Sequence, residues 1–174
     1  MAMADANLPI EWRPMTAEDM PGISALSNRV HINYTERLQV LQEKFTLFPA
    51  GCFTLMDAGA VIRGYCFSHP WHDGAPPSLD TFLGSLPERP SRYFIHDLTL
   101  DPSVQGRRLA ATLLPRLIAV AERVATPRMA LVAVNGSEPF WTRMGFTKTD
   151  DPALQASAQS KYDAGAVHMQ RALT

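Results

Sequence analysis

The chain has 174 residues, 46% of them hydrophobic, which is enough for one well-filled core and short for two. With 16 basic residues against 17 acidic ones, its formal charge of −1 excludes the bulk electrostatics that carry binding to a nucleic-acid backbone. Cys52 and Cys66 each sit in an apolar, strand-like run and read as buried thiols, not as a disulfide framework or a metal site, which points to a reducing, cytoplasmic setting.

Residues 1–7 lack the apolar run of a signal peptide or a membrane anchor and read as a frayed tail, leaving 8–174 as a single domain. Ile10 and Trp12 alternate with Glu11 and Arg13 as in a short strand. Thr16 caps a helix whose apolar stripe is Met20, Ile23, Leu26 and Val30, and a second helix is expected from Thr35 with Leu38, Leu41 and Phe45 inward. Residues 53–57 and 60–68, joined by the Ala58-Gly59 turn, form a hairpin. Five prolines and two glycines then break the pattern over 69–90, a connection longer than the ~12–15 residues usual without function. Residues 91–100 resume as a strand, 105–124 as a helix, 128–134 as a strand, 137–144 as a short helix, and 147–149 and 166–173 as closing strands. Pro115 should kink the long helix or cost it a backbone bond. The order predicts an α/β (α+β) layer fold, a mixed and mostly antiparallel sheet of six to seven strands flanked by about four helices.

The segment from Leu98 through Thr99, Leu100, Asp101 and Pro102 to Gln105, Gly106, Arg107, Arg108, Leu109 and Ala110 is a strand running through a tight loop into a helix. Free amides at such a helix start, the positive end of its dipole and two arginines suit a diphosphate. This segment resembles the acetyl-CoA signature of the GNAT N-acetyltransferase superfamily, Q/R-x-x-G-x-G/A after a strand, with Gln105 and Ala110 matching and Arg108 standing where the pattern has its middle glycine. Downstream, the run from Pro139 through Phe140, Trp141 and Gly145 to Phe146 is similar to the family's FYxxxGF block, with Asn135 and Ser137 just before it.

The resemblance implies acetyl-CoA as co-substrate without a metal, and transfer of its acetyl group to a primary amine of a small molecule or peptide by direct attack in a ternary complex. It assigns the pantetheine and acetyl group to Leu98, Thr99 and Leu100, the pyrophosphate to residues 105–110, and further contacts to Asn135, Ser137, Phe140 and Trp141. An ammonium of pKa ~10.4 must lose a proton before it attacks. His96 is the expected base, since an imidazole near ~6.5 is largely neutral at pH 7. Strand parity sets Phe94, His96, Leu98 and Leu100 on one face and Ile95, Asp97 and Thr99 on the other, leaving Asp97 to bind a cationic substrate. Trp141 occupies the place of the family's acid tyrosine, so Tyr162 is the replacement candidate, and Trp71 with Phe82, Asp73 and Asp80 is expected to shape the acceptor pocket. His69, His72 and Asp73 lack helical spacing and a further ligand, which argues against a metal. No nucleic acid or membrane partner is expected, and pairing of two chains is compatible with the sequence. The alternatives are a non-catalytic acyl-CoA-binding module and a nucleotide phosphate-binding protein.

Overall fold

The computed structural model describes residues 9–174, so the tail expected at 1–7 lies outside them. Seven strands form one sheet in the order β1-β2-β3-β4-β5-β7-β6. They are β1 (Ile10–Pro14), β2 (Cys52–Asp57), β3 (Ile62–Trp71), β4 (Arg92–Leu100), β5 (Arg128–Ala133), β6 (Thr147–Lys148) and β7 (Val167–Ala172). Among the described residues only the β4–β5 pair is parallel. The helices are α1 (Met20–Val30), α2 (Leu38–Leu47), α3 (Leu109–Arg123), α4 (Glu138–Arg143) and α5 (Pro152–Lys161). Among the described residues no helix is long and apolar enough to cross a membrane.

Two apolar layers cover the sheet. On one face Met20, Ile23 and Leu26 of α1 and Leu41 of α2 pack on Tyr65 and Phe67. On the other, Leu113, Leu117 and Val120 of α3 and Trp141 of α4 pack on Tyr93, Ile95, Met129 and Leu131. Alternation along each strand sends successive side chains to opposite layers, as Cys66 and Phe67 show by joining different ones.

Several boundaries differ from expectation for identifiable reasons. Strand β3 runs on through Pro70, because that residue lies beyond the end of β2 and a strand with one neighbour tolerates a missing N–H. Helix α2 begins at Leu38, and α3 begins at Leu109 with residues 102–104 forming a separate 3-10 turn, so the loop before α3 is longer than expected. Pro115 is carried inside α3 without ending it. A fifth helix, α5, joins the four expected: it buries only Leu154 and Ala158, too sparse a stripe to read as periodic, yet its start is marked by Asp151, whose side chain accepts from the Ala153 amide at 2.9 Å, and by Pro152 at the first helical position.

Parity along β4 differs as well. Phe67 pairs with Asp97 but Ser68 pairs with Ile95, so His96 is an extra residue, a bulge in the β3–β4 ladder. The bulge inverts the alternation beyond it. Leu98 and Leu100 join the α3-side core with Tyr93 and Ile95, whereas His96 contacts Glu36 of the α1–α2 connection and Asp97 contacts Tyr65 on that same side. The expectation that His96 shares a face with Leu98 while Asp97 points away is therefore corrected: His96 and Asp97 face the same side.

Candidate active site

The parallel pairing of β4 with β5 covers only Tyr93–Met129, Phe94–Ala130 and Ile95–Leu131. Beyond it β5 stays with β7 as far as Ala133, and the two parallel strands part. A cleft of about 880 Å³ fills the gap, lined at one end by residues of β4, the loop before α3 and α4, and at the other by the α1–α2 connection, Leu79 and Tyr162.

The first end is built for an anion. Among the described residues no acceptor takes the backbone N–H of any residue from 106 to 111, and these amides sit at the positive end of α3. Gly106 has φ 79 and Arg108 φ 59, so the residue standing for the pattern's glycine holds the left-handed conformation that glycine adopts without strain. The Trp12 indole donates to the Leu109 carbonyl at 2.8 Å and Arg116 donates to the Trp12 carbonyl at 2.8 Å, tying the start of α3 to β1. Across the cleft, α4 ends in a left-handed Gly145 (φ 85), with Gly145 donating to Thr142 and Phe146 to Trp141 at 3.0 Å each. This cap turns the chain sharply enough to seat Phe146 against the Trp141 ring, 5.4 Å between centroids. Trp141 is thus core as much as cleft wall.

The second end holds two imidazole–carboxylate pairs. His96 Nε2 donates to Glu36 Oε1 at 2.9 Å, and Glu36 Oε2 accepts from Lys44 Nζ at 3.1 Å and from the Asp80 amide at 3.2 Å. The side chains of His96, Glu36 and Lys44 are 1%, 3% and 1% exposed. Burial would raise the Glu36 carboxyl, but His96 and then Lys44 overcome it and hold it at about 2, against an ordinary 4.5. With Nε2–H committed to an anion, the lone pair of His96 is on Nδ1, which is buried and has no partner among the described residues. The other pair is His31 and Asp97. Asp97 accepts from Tyr65 Oη at 2.8 Å and Thr99 Oγ1 at 2.7 Å, and His31 Nε2 lies 2.6 Å from Thr99 Oγ1 and 3.4 Å from Asp97 Oδ1.

A buried His69 stands behind His96, ring centroids 5.9 Å apart, with its Nδ1 donating to the Pro70 carbonyl at 2.9 Å. Burial, with His96 adding to it, pushes His69 down to about 3, and burial followed by Arg92 pushes His168 down to about 4. Both are neutral when folded and titrate near ~6.5 when unfolded, so below that pH the unfolded chain binds more protons. Their contribution is whole above about pH 6.5 and drains away as pH falls toward 4 for His168 and toward 3 for His69, each losing about 2 kcal/mol by pH 5. The melting temperature should therefore fall between pH 7 and 5, and a flat profile by calorimetry would contradict neutral burial.

Of the residues singled out in the sequence, Leu98, Thr99, Leu100, Gln105, Gly106, Arg108, Leu109, Ala110, Asn135, Ser137, Phe140, Trp141, His96, Asp97 and Tyr162 border the one cleft. Arg107 does not border it and is exposed. Trp71 lies outside it, donating to the Ala75 carbonyl at 3.1 Å and stacked on His72. Asp97 is engaged by its own neighbours. Tyr162 ends α5 and donates to the Pro77 carbonyl at 3.3 Å. His31, Glu36 and Lys44 escaped the sequence reading; the one local signal was Lys44, a charge on the inner stripe of α2 beside Val40 and Leu41. Among the described residues no group of three or more His, Cys, Asp or Glu is placed to hold a metal.

Residues 14–146 match the profile of the acetyltransferase (GNAT) family. No curated protein matches the chain. Among solved structures, the GphF GNAT-like decarboxylase in complex with isobutyryl-CoA is similar at a TM-score of 0.76 and 17% identity, over 94% of this chain and 100% of that one. Rv2747 from Mycobacterium tuberculosis in complex with CoA and NLQ is similar at 0.67 and 17%, over 94% and 99%. An acetyltransferase of the GNAT family from Staphylococcus aureus Mu50 is similar at 0.70 and 12%, over 95% and 100%.

Proposed function

Since the chain belongs to the GNAT acetyltransferase family, we propose that it transfers the acetyl group of acetyl-CoA to a primary amine of a small molecule or peptide, by direct attack in a ternary complex. The observation that carries this reading is one cleft joining a row of free helix-start amides to a buried histidine whose Nε2 is fixed on a carboxylate. The pyrophosphate binds the amides of residues 106–111 with Arg108 beside it, and the pantetheine runs along the β4 edge at Leu98, Thr99 and Leu100. Gln105, Leu109, Ala110, Asn135, Ser137, Phe140 and Trp141 complete that wall. His96 Nδ1 takes a proton from the attacking nitrogen, and a backbone N–H near Leu98 stabilises the tetrahedral oxyanion.

Tyr162 protonates the departing thiolate. Its hydroxyl borders the cleft and donates to the Pro77 carbonyl at 3.3 Å, and because burial and the Glu36 and Asp97 carboxylates raise its pKa, it gives up its proton only in concert with one returned to it. An acyl-enzyme is disfavoured because neither cysteine borders the cleft and burial raises both thiols, Cys52 to about 12. Thiol release from acetyl-CoA over a panel of amines tests the function. Release that depends on the amine supports it, and tight binding of acetyl-CoA without release for any amine would make the chain a binding module instead.

Arg108→Gly is the cleanest probe of the anion end, because the left-handed backbone there accepts glycine without strain. It should weaken coenzyme A binding about tenfold, the loss of roughly one charge-assisted contact. Arg107→Ala, which alters a side chain away from the cleft, should stay within about twofold. Equal losses in calorimetric titration would contradict this placement.

A further inference from the structure

We propose that His31, held by Thr99 and Asp97, is a second proton acceptor of the reaction, taking the first proton from the arriving ammonium while His96 takes the second during attack. This rests on the acetyltransferase reading above. An amine enters as R–NH3⁺ and leaves as R–NH–CO–CH3, so its nitrogen sheds two protons. The C–N bond forms, the C–S bond breaks, one proton ends on the coenzyme A sulfur, and the other leaves for water. One base on the nitrogen serves only one of these departures at a time.

The cleft holds two bases with the differences such a division requires. His96 is enclosed, 1% exposed, with its Nε2–H on Glu36. A proton taken there stays in the cleft and balances the one that Tyr162 gives the thiolate. His31 follows the end of α1 and borders the same cleft, its Nδ1 buried but its Nε2–H turned to Thr99 and Asp97, whose side chain is 16% exposed, so a proton gained at Nδ1 is passed on from Nε2 toward solvent.

The tautomer of His31 is set by its neighbours. Thr99 Oγ1 donates to Asp97 Oδ1, so its oxygen accepts from His31 Nε2–H at 2.6 Å. The lone pair is then on Nδ1, which, like that of His96, is buried and has no partner among the described residues. The charged groups facing this ring are Asp97 of β4 and Glu36 of the α1–α2 connection, with Tyr65 of β3 acting through Asp97. Burial lowers the imidazole, but Asp97 and then Glu36 overcome it and raise its pKa, which suits a group that must hold an ammonium's proton before releasing it. The bulge at His96 puts Asp97, the partner of His31, on the same side of the sheet as His96, since without the inversion it causes Asp97 would face the other layer.

The test is acceptor basicity. An amine turned over by the wild-type protein is compared at about pH 8.5 with its β,β-difluoro analogue, whose electron-poor nitrogen, with a pKa of about 7, arrives largely uncharged where the parent is still an ammonium of pKa ~10.4, and which has only one proton left to lose to the enzyme. His31→Gln keeps a donor toward Thr99 without a basic lone pair. It should lose about 100-fold in kcat/KM on the parent amine and come within about threefold of wild type on the fluorinated one, whereas a His96 variant should lose on both. Because the same His31→Gln protein meets both amines, misfolding cannot mimic the difference. Equal loss on the two amines, or no loss on either, overturns the assignment while leaving the function standing. If wild type acetylates neither compound nor any other amine, the function fails and this assignment falls with it.

Discussion

Replacing His96 by glutamine should lower kcat/KM for amine acetylation by about 100-fold to 10,000-fold at neutral pH while leaving coenzyme A affinity nearly unchanged. Glutamine is the informative substitution because its amide still donates to Glu36, so the Glu36–Lys44 pair keeps its surroundings and the loss reports a missing lone pair, not a collapsed site. The effect should appear in kcat, since the anion end of the cleft is formed by residues of the loop before α3, whereas the His96 side chain is bonded to Glu36 at the other end. Full activity of the variant across the pH range would place the base elsewhere.

The largest expected effect on stability is at Glu36. Glu36→Gln leaves the Lys44 ammonium, 1% exposed, without its counter-charge, a situation that costs about 3–5 kcal/mol. Adding Lys44→Met removes the orphaned charge and should recover most of that loss, although activity should stay low because His96 has lost the anion that fixes its ring. The pH dependence follows with a definite sign. Glu36 titrates at about 2 in the folded chain and at an ordinary 4.5 when released, so its stabilisation is whole above about pH 4.5 and is lost as pH falls toward 2. Glu36→Gln should flatten the melting temperature over that acid range. A double variant no more stable than the single one would show that the ion pair is not what holds the α1–α2 connection over the sheet.

The anion end was legible in the sequence because it is local: strand, loop and helix start are contiguous in residues 98–110, and the chemistry follows from backbone position as much as from side-chain identity. Even the departure at Arg108 has a local account, a left-handed residue where glycine is cheapest. The acceptor end was not legible. His96 meets Glu36 across 60 residues of chain and His31 meets Thr99 across 68, distances at which a single sequence carries no pairing signal. The face of Asp97 was misread for a different reason: a period-two pattern has no mark for one inserted residue, and the bulge at His96 reverses everything after it. Helix α5 was missed because its burial is slight, although Asp151 and Pro152 announced its start.

The long connection after β3 ties these observations to the acceptor. Arg37 pairs with Asp80 at 3.0 Å, Glu43 accepts from the Leu83 amide at 2.6 Å, and Lys161 donates to the Pro76 carbonyl at 2.6 Å, so the segment is fastened to α2 on one side and α5 on the other. Tyr34 adds a hydrogen bond to Asp163 at the cleft mouth. The Asp80 amide reaches Glu36 itself, which makes the carboxylate that orients His96 part of the same fastening.

Coenzyme A should enter the gap between β4 and β5 with its thioester facing His96, and a structure determined with coenzyme A bound tests that most directly. It should show the pyrophosphate on the amides of residues 106–111, the pantetheine between Leu98 and Val132, and the sulfur on the side of His96 and Tyr162. Coenzyme A lying outside this gap, or entering it with the sulfur turned away from His96, would contradict it.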